Sequence, residues 1–493
     1  MSAFIHLIKF LHQHRNKELE TAVTDSLRGQ PLRLFRLALS GVETEEALAR
    51  ALYGSRSGRS DKKFLMLKKR LISCLLQGLP GSASFPLLLP PGQMQYLERY
   101  QQLGFVRTIY QTDQTAGVFL AEQLIRESSL AECFDILIAL ADILMKHYFY
   151  QHQAGKFERL QQSRQQWLRQ RDLERSLEGD FMRMMWYSQD RHTLSVSYRM
   201  GMKGILRKYA LPVRRYGSNQ SALWYWYLQL VYNEYRKDYP ANLRLCRRIL
   251  IRSRLADPVL QQKMHFMAVV YQMKSFLYLE QAAKGILLAR ASEQAFRKST
   301  YNYFQFREIY LLLLLKMGSW KEAERMMGKT MTAASFLQLP VVQREKWILM
   351  NNYIRLMDDR WLPHFEGMPS HPVRPATSRD KRGYVLLQRI AETVYYLLTG
   401  EEDLAIARSQ SLRIFCIRHL DMKTAERTVL FVRILSALCL AKWSGSGGGI
   451  KMKKNITRLR ASRPAAQTNF YTVEIIPYEL LLERILQKTG VQG

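Results

Sequence analysis

Apolar residues recur along this chain at steps of three and four, the spacing that puts them on one face of an α-helix. Phe4, Leu7, Ile8 and Leu11 follow it near the start, and Phe64, Leu67, Leu71, Cys74 and Leu75 follow it across Asp61–Gln77. Few stretches alternate with the period of two that marks a strand. The pattern predicts an all-α fold. Thr44 before Glu45–Tyr53 is a candidate N-cap, because its hydroxyl can accept a backbone N–H of the first turn. Leu130–Tyr150 reads as a mostly apolar helix, Gly155–Asp190 as a long charged one, and His192–Tyr209 as the next.

Breakers divide the chain. Pro80, Pro86, Pro90 and Pro91 stop any long helix across Gly78–Gly92. Residues 1–80 then form a small basic helical unit and 93–210 a long-helix region. Residues 219–440 carry paired helices, with an inserted loop at 362–383 that holds Pro363, Pro369, Pro372 and Pro375. Ser444–Gly449 is a glycine joint, and 450–493 is a basic segment ending in a helix suited to cap the array. The expected pairs are Ser221–Arg236 with Ala241–Arg254, Pro258–Tyr271 with Lys274–Ala291, Tyr301–Lys316 with Trp320–Thr332, and Gly383–Leu398 with Glu402–His419. Some first members are dense in aromatics, as at Trp224, Tyr225, Trp226, Tyr227 and Tyr232.

Two turns carry a family pattern. Lys316-Met-Gly318-Ser-Trp320-Lys-Glu-Ala323 has a Gly ending one helix, an aromatic two residues on, and an Ala in the next helix. Tyr396-Leu-Leu-Thr-Gly400-Glu-Glu-Asp-Leu-Ala405 repeats the Gly and Ala spacing. Over residues 219–440 the chain resembles tetratricopeptide-repeat proteins. Leu311 and Thr393 stand where that family has a small first-helix residue, and Glu402 stands where it has the aromatic. The resemblance implies a helical-hairpin repeat solenoid, because a hairpin with an exposed apolar face needs a neighbour stacked on it. Ordinary antiparallel helices in one globular domain are the other reading of the same pattern.

Charge sharpens this picture. Lys and Arg number 74 against 42 Asp and Glu, a net +32, and such an excess favours acidic partners. Arg244, Arg248 and Arg252 align along one helix with Arg247 and Arg254 beside them. Between Lys203 and Ala256 the only acids are Glu234 and Asp238. Lys451, Lys453, Lys454, Arg458, Arg460 and Arg463 form a second cluster with no acid inside it. Lys62, Lys63, Lys68, Lys69 and Arg70 crowd the Asp61–Gln77 helix, which with Glu45–Tyr53 resembles a helix-turn-helix. Basic stripes of this kind neutralise phosphates, and they also serve as solvated faces.

Chemistry is sparse. The phosphate-loop, H-E-x-x-H and G-x-S-x-G motifs are all missing. His364, Glu366 and His371 lie together in a Pro-rich stretch, where solvation is the plain role of such residues. Acid pairs Asp358-Asp359 and Glu401-Glu402 fall near expected helix ends, where capping or solubility accounts for them. The five cysteines are scattered, without a C-x-x-C pair, which reads as reduced core thiols in a cytoplasmic protein. The most apolar run, Ile309–Leu315, is far short of the about 18 residues a membrane crossing needs. The sequence therefore predicts a non-enzymatic scaffold, without cofactor or metal, that binds a protein partner in a larger assembly. The alternative is a nucleic-acid-binding protein that uses its basic helix faces. Oligomeric state is left open.

Overall fold

The computed structural model describes residues 29–40, 42, 44–54, 61–78, 91–190, 196–254, 256, 258–296, 301–360, 362–364, 384–420, 425–444, 449–462 and 474–490. Helices and turns account for all of it, with no strand among the described residues. The expected helix at Phe4–Leu11, Gly78–Gly92 from residue 79 to 90, and the inserted loop beyond residue 364 lie outside the described residues. The chain separates into two compact units, Met1–Arg164 and Gln165–Gly493.

The first unit begins with α1 (Gln30–Leu39), α2 (Glu45–Tyr53) and α3 (Lys62–Gly78). Thr44 caps α2 as its sequence position implies, its hydroxyl accepting the Ala47 N–H at 3.2 Å. The apolar stripe of α3 buries Phe64, Leu67 and Leu71 against Leu34 and Phe35 of α1 and Leu48 of α2. Then come α4 (Pro91–Thr112), α5 (Gln114–Leu130), α6 (Phe134–Tyr150) and the start of α7 (Ala154–Asp190). Leu130, expected to begin a helix, instead ends one. The chain turns at Glu132, whose φ is 55°, and α6 begins at Phe134.

The second unit holds the rest of α7, then α8 (Val196–Tyr216), α9 (Asn219–Tyr235), α10 (Tyr239–Ser253), α11 (Pro258–Tyr278), α12 (Ala282–Ser292), α13 (Tyr301–Lys316), α14 (Trp320–Met331) and α15 (Val341–Leu356). It continues with α16 (Tyr384–Thr399), α17 (Glu402–His419), α18 (Glu426–Ser444), α19 (Gly449–Ala461) and α20 (Tyr478–Thr489). From α9 to α15 each helix packs on the next, and α11 also touches both α9 and α13. Likewise α16 contacts α17, α18 and α20. An apolar core runs from Val269 of α11 to Ile485 of α20. The aromatic run of α9 is used on two sides, with Phe181 of α7 against Trp224 and Tyr227, and Tyr271 of α11 on Tyr227.

The hairpin turns follow two chemistries. Gly318 (φ 67°) and Gly400 (φ 82°) end α13 and α16 in the left-handed conformation that glycine adopts without a Cβ clash. Ser319 N–H then reaches Leu314 C=O at 3.0 Å, and Glu401 N–H reaches Tyr396 C=O at 3.1 Å. Elsewhere the same conformation is held by side-chain-bearing residues: Glu132, His152, Lys237 and Glu280. The break expected after Tyr271 is therefore displaced. α11 runs through Lys274 to Tyr278, and the turn falls at Glu280. An L-residue pays about 1–2 kcal/mol in the left-handed region, partly offset by the extra unfolded-state freedom of glycine. Exposed Glu280→Gly is accordingly expected to raise stability by up to about 1 kcal/mol, read as a shift of the urea midpoint at constant slope.

Cys133, Cys246, Cys416 and Cys439 are buried thiols that form no disulfide among the described residues. Burial pushes the Cys246 thiol from 9.0 up to about 12, and Cys416 from 9.0 up to about 11. Both groups stay neutral in the folded protein at a pH where the unfolded chain has already released the proton. The folded state then binds more protons, so stability falls as pH rises. Loss is expected to begin near pH 9 and deepen toward pH 11–12. Buried Tyr271 and Tyr353 and half-buried Tyr278, pushed upward by desolvation, add to it above pH 10. Thermal melts across this range check the slope, which Cys246→Ser would reduce.

Candidate functional site

α10 opens on Asp238, whose carboxylate accepts the Ala241 N–H at 3.0 Å, with Pro240 in the first turn. Its inner face buries Leu245, Cys246 and Ile249 against Leu260 and Met264 of α11. Asn242, also buried, donates to Leu230 C=O at 3.3 Å. The opposite face is left to Arg244, Arg247, Arg248, Arg252 and Arg254, all exposed, with Ile251 between them 68% exposed. Among the described residues none of the five forms an ion pair. From Arg244 to Arg252 the stripe covers about 12 Å of helix.

The other basic clusters are arranged differently. α19 buries Met452, Ile456 and Leu459 and exposes Lys453, Lys454, Arg458 and Arg460. Arg458 meets Glu426 of α18 at 2.8 Å, an acid that sequence separation hides. The side chain of Lys451 and all of Arg463 lie outside the described residues. On α3, Lys62, Lys63, Lys69 and Arg70 are exposed around Met66, itself 75% exposed. Lys68 differs. Half-buried, it bonds both carboxylate oxygens of Glu45 at 2.9 Å and ties α3 to α2.

A further site was not anticipated from sequence. α9, α11, α13 and α15 enclose a cavity of about 210 Å³. Each helix contributes a charge to it: Glu234, Lys274, Glu308 and Lys346. Lys274 meets Glu234 at 3.2 Å and Lys346 meets Glu308 at 2.6 Å. No ion pair joins Lys274 to Glu308 across the middle. Burial opposes the charge on Lys274, yet Glu234 and its neighbours outweigh it and raise the pKa. For Lys346 burial wins over Glu308, and the pKa is lowered. Leu277, Phe304, Leu312 and Trp347 form apolar walls, with the carboxamides of Gln305 and Gln343 beside the charges. Little in the sequence marks it: the four charges lie 34 to 40 positions apart, and in α11, α13 and α15 they stand among others, such as Lys263, Arg307, Arg344 and Glu345.

Of the loop trio His364, Glu366 and His371, the last two lie outside the described residues. Asp359 is engaged by Arg484 at 2.7 Å and Lys488 at 2.9 Å, so it ties α20 to the end of α15. Among the described residues no helix is long and apolar enough to cross a membrane.

These elements define an all-α protein of sequentially packed helices. Compared with protein-family models, curated proteins and solved structures, the chain matches none.

Proposed function

We propose that this chain is a non-enzymatic scaffold of the tetratricopeptide type, docking an acidic protein partner within a larger assembly. The arginine face of α10 carries the reading. Five guanidinium groups without ion pairs stand on a helix whose other face is fixed in a core. Exposed like charges repel one another, and an acidic surface relieves that cost while steering association. The repeat reading is supported by contacts between alternate helices, by the glycine turns at 318 and 400, and by Ala323 and Ala405, both 0% exposed.

A second reading is nucleic-acid binding, favoured by the α3 face of Lys62, Lys63, Lys69 and Arg70 in its small helical unit. The ultraviolet absorbance ratio of the purified protein at low and high salt, with nuclease controls, separates the two. Salt-releasable nucleic acid supports the second reading. Clean protein leads to a cross-linked pull-down of an acidic protein partner. Reversing Arg244, Arg248 and Arg252 to Glu is expected to weaken partner binding at least tenfold. If the partner is nucleic acid, the log–log salt slope is expected to flatten by about 2–3. Unchanged affinity removes α10 as the docking face.

A further inference from the structure

The cavity between α9, α11, α13 and α15 is an odd place to keep four charges. A buried ion pair loses much of its Coulombic gain to desolvation, and apolar residues of similar volume often serve stability as well or better. Here a nearly buried pair, Lys346–Glu308, and a half-buried one, Lys274–Glu234, line an open volume rather than a packed one. Charged groups of that kind in a cleft with apolar walls mark ligand sites.

The order of charges says what fits. Along the four helices it runs Glu234, Lys274, Glu308, Lys346, and only the step from Lys274 to Glu308 is unbridged. A ligand that carries a carboxylate and an ammonium side by side completes the alternation there. About 210 Å³ lies below the ~300–1,000 Å³ of drug-sized pockets, which limits the ligand to amino-acid dimensions. Leu277, Phe304, Leu312 and Trp347 give its remaining surface an apolar environment. Gln305 and Gln343, whose carboxamides make no hydrogen bond among the described residues, supply neutral donors and acceptors beside the charges.

We propose that this cavity binds a free α-amino acid with an apolar side chain, its carboxylate held by Lys274 and its ammonium by Glu308. The site is independent of whether α10 docks a partner. A peptide end is a poorer match, because a chain terminus carries one of the two charges and not both.

The test is a thermal-shift screen of the dialysed full-length protein against free standard L-amino acids, followed by calorimetric titration. One or more apolar amino acids are expected to raise the melting temperature by about 2 °C near saturation. Their N-acetyl and carboxamide derivatives, each lacking one charge, are expected not to bind. Lys274→Met and Glu308→Gln are each expected to weaken binding at least tenfold. The paired replacement Glu308→Leu with Lys346→Met guards against simple misfolding. It removes both partners, so it is expected to melt no lower than the parent yet bind no amino acid. The proposal is overturned if no amino acid binds the parent, if a capped derivative binds as well as the free one, or if the paired variant retains binding.

Discussion

Arg427→Met is expected to lower the unfolding free energy by up to about 3 kcal/mol, the low end of the cost of breaking a buried ion pair, because the carboxylates left without their counter-charge are half-buried. Arg427 stands at the start of α18 with its side chain 6% exposed. Its guanidinium donates to Glu474 at 2.6 and 3.0 Å and to Glu479 at 2.8 and 2.9 Å. It also reaches the carbonyls of Leu459 at 2.9 Å and Ser462 at 2.5 Å. One side chain therefore joins α18, the end of α19 and the start of α20. Met fills a similar volume but donates nothing, which deprives two carboxylates and the Ser462 carbonyl of their guanidinium donor, while Leu459 C=O keeps the Ser462 hydroxyl at 2.7 Å. Arg427→Lys keeps the charge without the planar fork and is expected to fall between. Urea denaturation of the three proteins gives the order, and a Met variant as stable as the parent would show that the clasp contributes nothing net.

Phe64→Ala is expected to unfold α1–α3 locally. Phe64 is fully buried, and among the described residues the core it serves has only Leu34, Phe35, Ala38, Leu48, Ala49, Leu67 and Leu71 as its other buried members. Removing a buried phenyl group costs about 3–5 kcal/mol, comparable to all that so small a core supplies. Hydrogen exchange is the direct readout: protection is expected to vanish across residues 30–78 while α11–α18 keep theirs. Loss confined to α3 would instead mean that α1 and α2 hold together without it. The same variant removes the Lys62, Lys63, Lys69 and Arg70 face, so a parallel loss of nucleic-acid binding would assign that activity to this unit.

Helices were legible where local chemistry decides them. Thr44 names its own helix start because the N-cap bond spans three residues. Gly318 and Gly400 name helix ends because the left-handed turn favours glycine. Turns closed by Glu132 and Glu280 carry no such mark, so helix boundaries near Leu130 and Tyr271 were set wrongly. There the packing of neighbouring helices pays for a conformation the residue itself disfavours. The arginine face of α10 was also legible, since residues four apart share a face. That Lys68 is tied to Glu45, and Arg458 to Glu426, depends on contacts 23 and 32 positions apart, which periodicity does not encode. The charged cavity was illegible for the same reason, because Glu234, Lys274, Glu308 and Lys346 lie on four helices, unmarked among other charges, and only their assembly makes a site.

The Arg427 clasp also bears on synthesis. A nascent chain meets Arg427 long before Glu474 and Glu479, which lie 47 and 52 positions further on. At translation rates of about 5–20 residues per second, the guanidinium waits several seconds without its counter-charges. Throughout that interval α18 presents the apolar face that α20 later covers, through Phe431 and its stacking partner Tyr478. A ribosome paused between residues 427 and 479 would thus hold an incomplete, chaperone-attractive intermediate.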